Sequence, residues 1–187
     1  TEGILDIVQN ETTSVQGELR IGIIPTLAPY LLPLFLDRFL RKYPDIKLQI
    51  SELTTDVIIE RIKHNQLDAG LLAIPVNQAD LVEIPLFHEE FVVYSSQKSM
   101  HPRKKYLLPS DLNVDKLWLL EEGHCLRNQV VNLCELKVHE RNIHQFDLSA
   151  SSIETLKKIV DLNEGITVLP QLCLKDLNKK QMTHVRY

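Results

Sequence analysis

With 187 residues, 44% apolar and 25% charged, the chain can bury roughly 70% of its unfolded surface, as one large domain or two small ones. This composition excludes a disordered, collagenous or coiled-coil chain. A net charge of −4, from 21 Lys+Arg against 25 Asp+Glu, argues against stand-alone nucleic-acid binding, which needs clustered positive charge. Three cysteines are too few, and odd in number, for a disulfide scaffold.

Thr1 to Gln16 is polar and lacks the cationic start and apolar stretch of a signal peptide. No apolar run approaches the ~18 residues of a membrane span. The expected compartment is a reducing cytoplasm. Ile4, Ile7 and Val8 have helical spacing before the sequence turns polar, so residues 1–16 read as a linker or the end of a helix.

From Gly17 strands alternate with helices. Leu19–Ile24 is a short apolar strand. Pro33 can open a helix with a stripe of Phe35, Leu36, Phe39, Leu40 and Tyr43, stopped by Pro44. Lys47–Ser51 alternates as a half-buried strand. Thr54 or Thr55 can cap the next helix, with Ile58, Ile59 and Ile62 inward, and Asp68–Ala73 and Phe91–Ser95 are further strands. Pro109-Ser110-Asp111 opens a short helix, and Leu117–Leu120 is a buried strand. A helix follows with Leu126, Val130, Leu133 and Cys134 on one face, which puts Cys134 in the core. Gln145–Ser149 is a strand. Ser151 to Glu154 reads as a capping box for a helix with Ile153, Leu156, Ile159 and Val160 inward, and Ile166–Leu169 is a strand between Gly165 and Pro170.

Such alternation predicts an α/β fold with mostly parallel sheets in two subdomains, and a cleft between them as the ligand site. There is no GxGxxG, GxxxxGK[ST] or GxSxG, so dinucleotide, P-loop and hydrolase readings have no support. His139, Glu140 and His144 hint at a zinc helix, but a five-residue step turns the histidines about 140° apart. No metal and no cofactor are expected.

Cys125 follows a strand and a glycine, opens a helical pattern, and sits beside His124 and Arg127. A helix N-terminus and cationic neighbours favour the reactive thiolate. A small buried hydrophobe is the other reading of a single cysteine. Cys134 lies nine residues on. In a continuous helix the two would be ~13.5 Å apart along the axis and on opposite faces, whereas a disulfide needs Cα atoms within about 7 Å. The pair suits a switch that unwinds a helix better than a staple.

The segment Glu121–Cys134, EEGHCLRNQVVNLC, closely resembles the redox site of the OxyR family of LysR-type regulators, including the cysteine spacing. Gly17–Pro33 and Ser152–Pro170 resemble the start and a later helix and strand of the LysR-type regulatory domain. The resemblance implies two Rossmann-like subdomains of the LysR-type effector-binding fold, residues 17–91 and 92–187, after a linker-helix remnant at 1–16. It implies a non-enzymatic hydrogen-peroxide sensor in which Cys125 is peroxidatic and Cys134 resolving. Thr26, Thr55, His124 and Arg127 match residues that bind peroxide or flank the thiolate. Asn128 stands where the family has Asp; an amide cannot act as a carboxylate base. Cys173 matches no redox position and reads as core or incidental.

The family's partners would be hydrogen peroxide, further copies in a dimer or tetramer, DNA through an N-terminal winged helix-turn-helix outside this chain, RNA polymerase and thiol reductants. The family's last strand and helix of the first subdomain have no counterpart here. The alternative is a LysR-type domain that binds a small-molecule co-inducer in the inter-subdomain cleft, its cysteines inert.

Overall fold

The computed structural model describes residues 15–96, 106–135 and 150–187. The early helical spacing at Ile4–Val8, the expected strand at Gln145–Ser149 and the His139–His144 motif lie outside these residues. The chain divides into two compact units, Thr1–Leu71 and Leu72–Tyr187.

In the first unit β1 (Gly17–Ile23) is the central strand of a parallel sheet ordered β2-β1-β3, with β2 at Ile46–Glu52 and β3 at Ala69–Leu71. The register runs from Gly17 opposite Ile46 to Ile23 opposite Glu52 on one side, and from Ile21 opposite Ala69 to Ile23 opposite Leu71 on the other. Helices α1 (Ala28–Lys42) and α2 (Thr55–Lys63) make the crossovers that parallel strands require. Gly22 lets α2 close on the sheet: a Cβ there would lie 2.9 Å from Ile58 and 2.8 Å from Leu67.

Helix α1 starts five residues earlier than Pro33 suggested. Pro29 takes the first-turn position where a missing N–H is harmless, and Pro33 lies inside the helix, where only the Pro29 carbonyl loses its partner. Its expected stripe is half-buried at Phe35, Leu36, Phe39 and Tyr43, and Leu40 is exposed. For α2 the N-cap is Thr54, and Ile58 is fully buried.

The second unit is built on β4 (Phe91–Ser95), flanked by β5 (Ile166–Pro170) and β6 (Val185–Arg186). Both pairings are antiparallel, contrary to the expectation of mostly parallel sheets. The chain reaches β4 through residues 72–90, which hold no helix or strand, so no helical crossover dictates its direction. The expected strand Leu117–Leu120 makes two parallel bridges instead, Leu117 to Ile166 and Leu120 to Ala150. The unit reaches back beyond the expected boundary at Phe91. Gln171 N donates to the Glu90 carbonyl (2.9 Å), and Leu172 N to the Glu89 carboxylate (2.7 Å).

Helix α4 (Ile153–Leu162) packs on β4 and β5 through Ile153, Leu156 and Val160. Its cap is Ser152, whose Oγ accepts from Thr155 N at 3.2 Å: a simple N-cap in place of the expected Ser151–Glu154 capping box. The fully buried Tyr94 donates its hydroxyl to Asp161 (3.0 Å), and His184 Nδ1 lies 3.3 Å from the same carboxylate. Burial, then the Asp161 charge, raises the Tyr94 phenol well above its ordinary range.

Gly165 lies beneath Trp118, where an added Cβ would fall 2.3 Å from the indole Cδ1. Gly165→Ala should therefore lower stability by about 1–3 kcal/mol in chemical denaturation. On the first sheet Arg20 donates to Asp68 from Nε (3.1 Å), from a terminal guanidinium nitrogen (2.8 Å) and from its backbone N–H (2.7 Å). These bonds, the side-chain pair foremost, lower the Asp68 carboxyl from 3.8 to about 2. The stability it contributes is complete above the unfolded value and vanishes as pH falls through about 2. Carboxyl NMR should show Asp68 titrating there, and moved part of the way back to its ordinary value in Arg20→Gln, which loses the side-chain bonds but keeps the backbone one.

Candidate functional site

Three contacts fix the approach to Cys125. Leu120 bridges to Ala150, Trp118 N donates to the Ile166 carbonyl (2.8 Å), and Glu121 N donates to the Ala150 carbonyl (3.0 Å). Gly123 turns the chain at φ +91°, a backbone that side chains rarely tolerate. His124 is the extended N-cap, and α3 (Cys125–Leu133) begins at Cys125 itself. The cysteine is half-buried, and a thiolate there faces the positive pole of the helix.

His124 is buried, with Nε2 3.7 Å from Glu121 Oε1. Arg127 turns back to donate to the Leu120 carbonyl (3.0 Å), binding the first turn of α3 to the strand-like stretch before it. Asn128 is exposed. The i,i+3 spacing of Glu121 and His124 is a signal of their proximity that the sequence carries; the Arg127–Leu120 bond, made to a backbone carbonyl, leaves no such signal.

Leu126 and Val130 are buried, but Leu133 is 43% exposed and Cys134, the C-cap, is half-buried. The expectation of a buried Cys134 is corrected: the helix stops at this residue, so its apolar stripe leaves the core in the last turn. All three cysteines are thiols, not disulfides. Cys125 and Cys134 sit at the two ends of an unbroken helix, roughly 13 Å apart along its axis, beyond disulfide reach. Cys173 is fully buried in the turn after β5.

Thr26 and Thr55 belong to the first unit. Thr26, 4% exposed, lies in the turn after β1, and Thr55 is the first residue of α2, after β2. Both follow the carboxyl ends of neighbouring parallel strands, the edge where such sheets bind ligands. Thr55 Oγ1 is buried without a hydrogen-bond partner. The structure thus gathers Cys125, His124 and Arg127 at one end of α3, and the two threonines at one sheet edge of the other unit.

A family model, the LysR substrate binding domain, matches residues 12–186. The chain belongs to this family. Its α/β architecture is the LysR-type effector-binding fold that the sequence led one to expect. The chain is 31% identical over 182 residues to the hydrogen peroxide-inducible genes activator of Haemophilus influenzae, covering 97% of the chain and 59% of that relative. Among solved structures, Porphyromonas gingivalis OxyR matches with TM-score 0.80 and 32% identity, over 91% of this chain and 77% of that one. A cysteine-to-serine mutant of Corynebacterium glutamicum OxyR with hydrogen peroxide bound matches with TM-score 0.72 and 32% identity, over 90% and 53%.

Among the described residues no helix is long and apolar enough to cross a membrane, and no three His, Cys, Asp or Glu side chains converge as a metal site.

Exposure separates the thiols of this LysR-type domain. A neutral alkylating reagent should label Cys125 and Cys134 in the native protein and reach Cys173 only on unfolding. Peptide mass mapping checks this; early labelling of Cys173 would contradict its burial.

Proposed function

We propose that this chain is the peroxide-sensing regulatory domain of a LysR-type transcription activator, and that Cys125 and Cys134 form its reversible redox couple. The observation that carries the reading is α3 itself: a nine-residue helix with one cysteine as its first residue and the other as its C-cap. The likeness to peroxide-responsive relatives supports it.

In this reading the Cys125 thiolate attacks one oxygen of hydrogen peroxide. The O–O bond breaks, Cys125 becomes a sulfenic acid, and hydroxide leaves and takes a proton. Cys134 then condenses with the sulfenic acid, forming the disulfide and releasing water. Two electrons pass from the two thiols to one peroxide. The positive end of α3 stabilises the attacking thiolate, and His124 and Arg127 are the groups that flank it.

Asn128 can offer hydrogen bonds but no carboxylate base. Thr26 and Thr55 keep the peroxide-binding role that the resemblance gives them.

The disulfide cannot form on an intact α3, so oxidation unwinds the helix. That couples a local bond to a change of conformation. The change would pass to DNA-binding parts outside this chain in a homo-oligomer, and thiol reductants of the cytoplasm would reset it. The domain would consume peroxide stoichiometrically, as a sensor rather than a peroxidase.

Stoichiometric peroxide followed by peptide mass mapping should give a Cys125–Cys134 crosslink. Cys125→Ser should abolish both the crosslink and any spectroscopic change. Crosslinking through Cys173, or a normal response from Cys125→Ser, would overturn the reading.

A further inference from the structure

Helix α3 lacks the devices that hold the other helices of this chain. Nine residues is short of the roughly 12–15 at which a helix stands alone. The His124 cap gives no side-chain bond, the first turn has no acid and the last turn no base. Both buried anchors, Leu126 and Val130, lie in its first six residues.

The chain leaves the helix through Glu135, an exposed residue at φ +51°. That left-handed position suits glycine or asparagine; in a glutamate it strains the backbone, and the carboxylate adds a negative charge at the negative pole of the helix. After α2 the equivalent position is Asn65 (φ +55°), behind Arg61 and Lys63 in the last turn. After α4 it is Glu164 (φ +52°), but α4 has the Ser152 cap, Glu154 in its first turn, and burial as far as Val160.

We propose that Glu135 tunes the redox poise of the Cys125–Cys134 couple by loosening the last turn of α3; this rests on the disulfide reading above. The left-handed backbone is imposed only while the helix ends at Cys134. Unwinding that turn releases Glu135 to ordinary conformations, so the strain burdens the dithiol and not the disulfide. Equilibration with glutathione disulfide isolates the effect. One glutathione disulfide is reduced to two glutathiones as two protein thiols lose two electrons and two protons to form the S–S bond. The equilibrium then reads the relative stability of the two protein forms.

The protein would be equilibrated across defined ratios of reduced and oxidised glutathione, acid-quenched, alkylated and weighed. Glu135→Gly should lower the equilibrium constant for disulfide formation about fivefold. Glu135→Gln, which removes the charge and keeps the strain, should lower it less, and Glu164→Gly should leave it unchanged. A Glu135→Gly couple equal to the unsubstituted one would overturn the proposal. So would a Gln effect as large as the Gly effect, or an equal shift from Glu164→Gly. Absence of any Cys125–Cys134 disulfide in the unsubstituted protein would instead overturn the reading beneath it.

Discussion

The rise of an α-helix is the constraint on which the proposed chemistry depends. Nine residues at 1.5 Å each hold Cys125 and Cys134 roughly twice as far apart as a disulfide allows. While α3 stands, the thiols cannot meet. Its two ends are held very unequally. At the first, the Gly123 turn, the Leu120–Ala150 bridge, the Arg127 bond to the Leu120 carbonyl and the buried Leu126 fix Cys125 in place. At the second, Leu133 is exposed and the chain exits through a left-handed glutamate. Unwinding from the Cys134 end disturbs few buried contacts, so in the proposed mechanism Cys134 travels while Cys125 stays in place.

That asymmetry needs a frame that does not yield. The buried Tyr94 donates its hydroxyl to the exposed Asp161 of α4, His184 of the segment before β6 lies beside the same carboxylate, and Trp118 closes over Gly165 just before β5. Thr167 Oγ1 donates to the Trp118 carbonyl (2.8 Å), joining β5 to the stretch that leads to Cys125. Lys157, 2% exposed on α4, pairs with Glu154; a buried cation held by one carboxylate is costly to disturb from either side. These contacts tie β4, β5 and α4 together, whereas α3 buries only Leu126 and Val130.

Much of this was legible in the residues. Alternation of short apolar runs with amphipathic stripes gave the strands and helices, because burial on one face imposes those periods. The cysteine spacing with the Gly-His-Cys segment carries the resemblance from which the proposed redox site was read. The errors share a physical origin. Pro33 suits a helix start because its missing N–H is unused there, but Pro29 fills the first turn and Pro33 lies inside the helix. Strand direction in the second unit is set by chain routing that no local pattern encodes. Cys134 has the spacing of a core residue and is half-buried because the helix ends beneath it, and helix ends are decided by backbone conformation more than by hydrophobic period.

The first unit has an unbalanced polar group of its own. Thr55 Oγ1 is buried at the carboxyl edge of the sheet with no partner, a condition worth about 1–3 kcal/mol of lost solvation. Thr26, also buried, sits in the turn after the adjacent strand. A core position would favour valine over threonine here, with similar shape and no hydroxyl to satisfy. The hydroxyl makes sense where a small molecule that both donates and accepts hydrogen bonds completes the pair, and hydrogen peroxide has two donors and four lone pairs in two heavy atoms. The buried, unpartnered hydroxyl at this sheet edge accords with the small-ligand role proposed for Thr55 above.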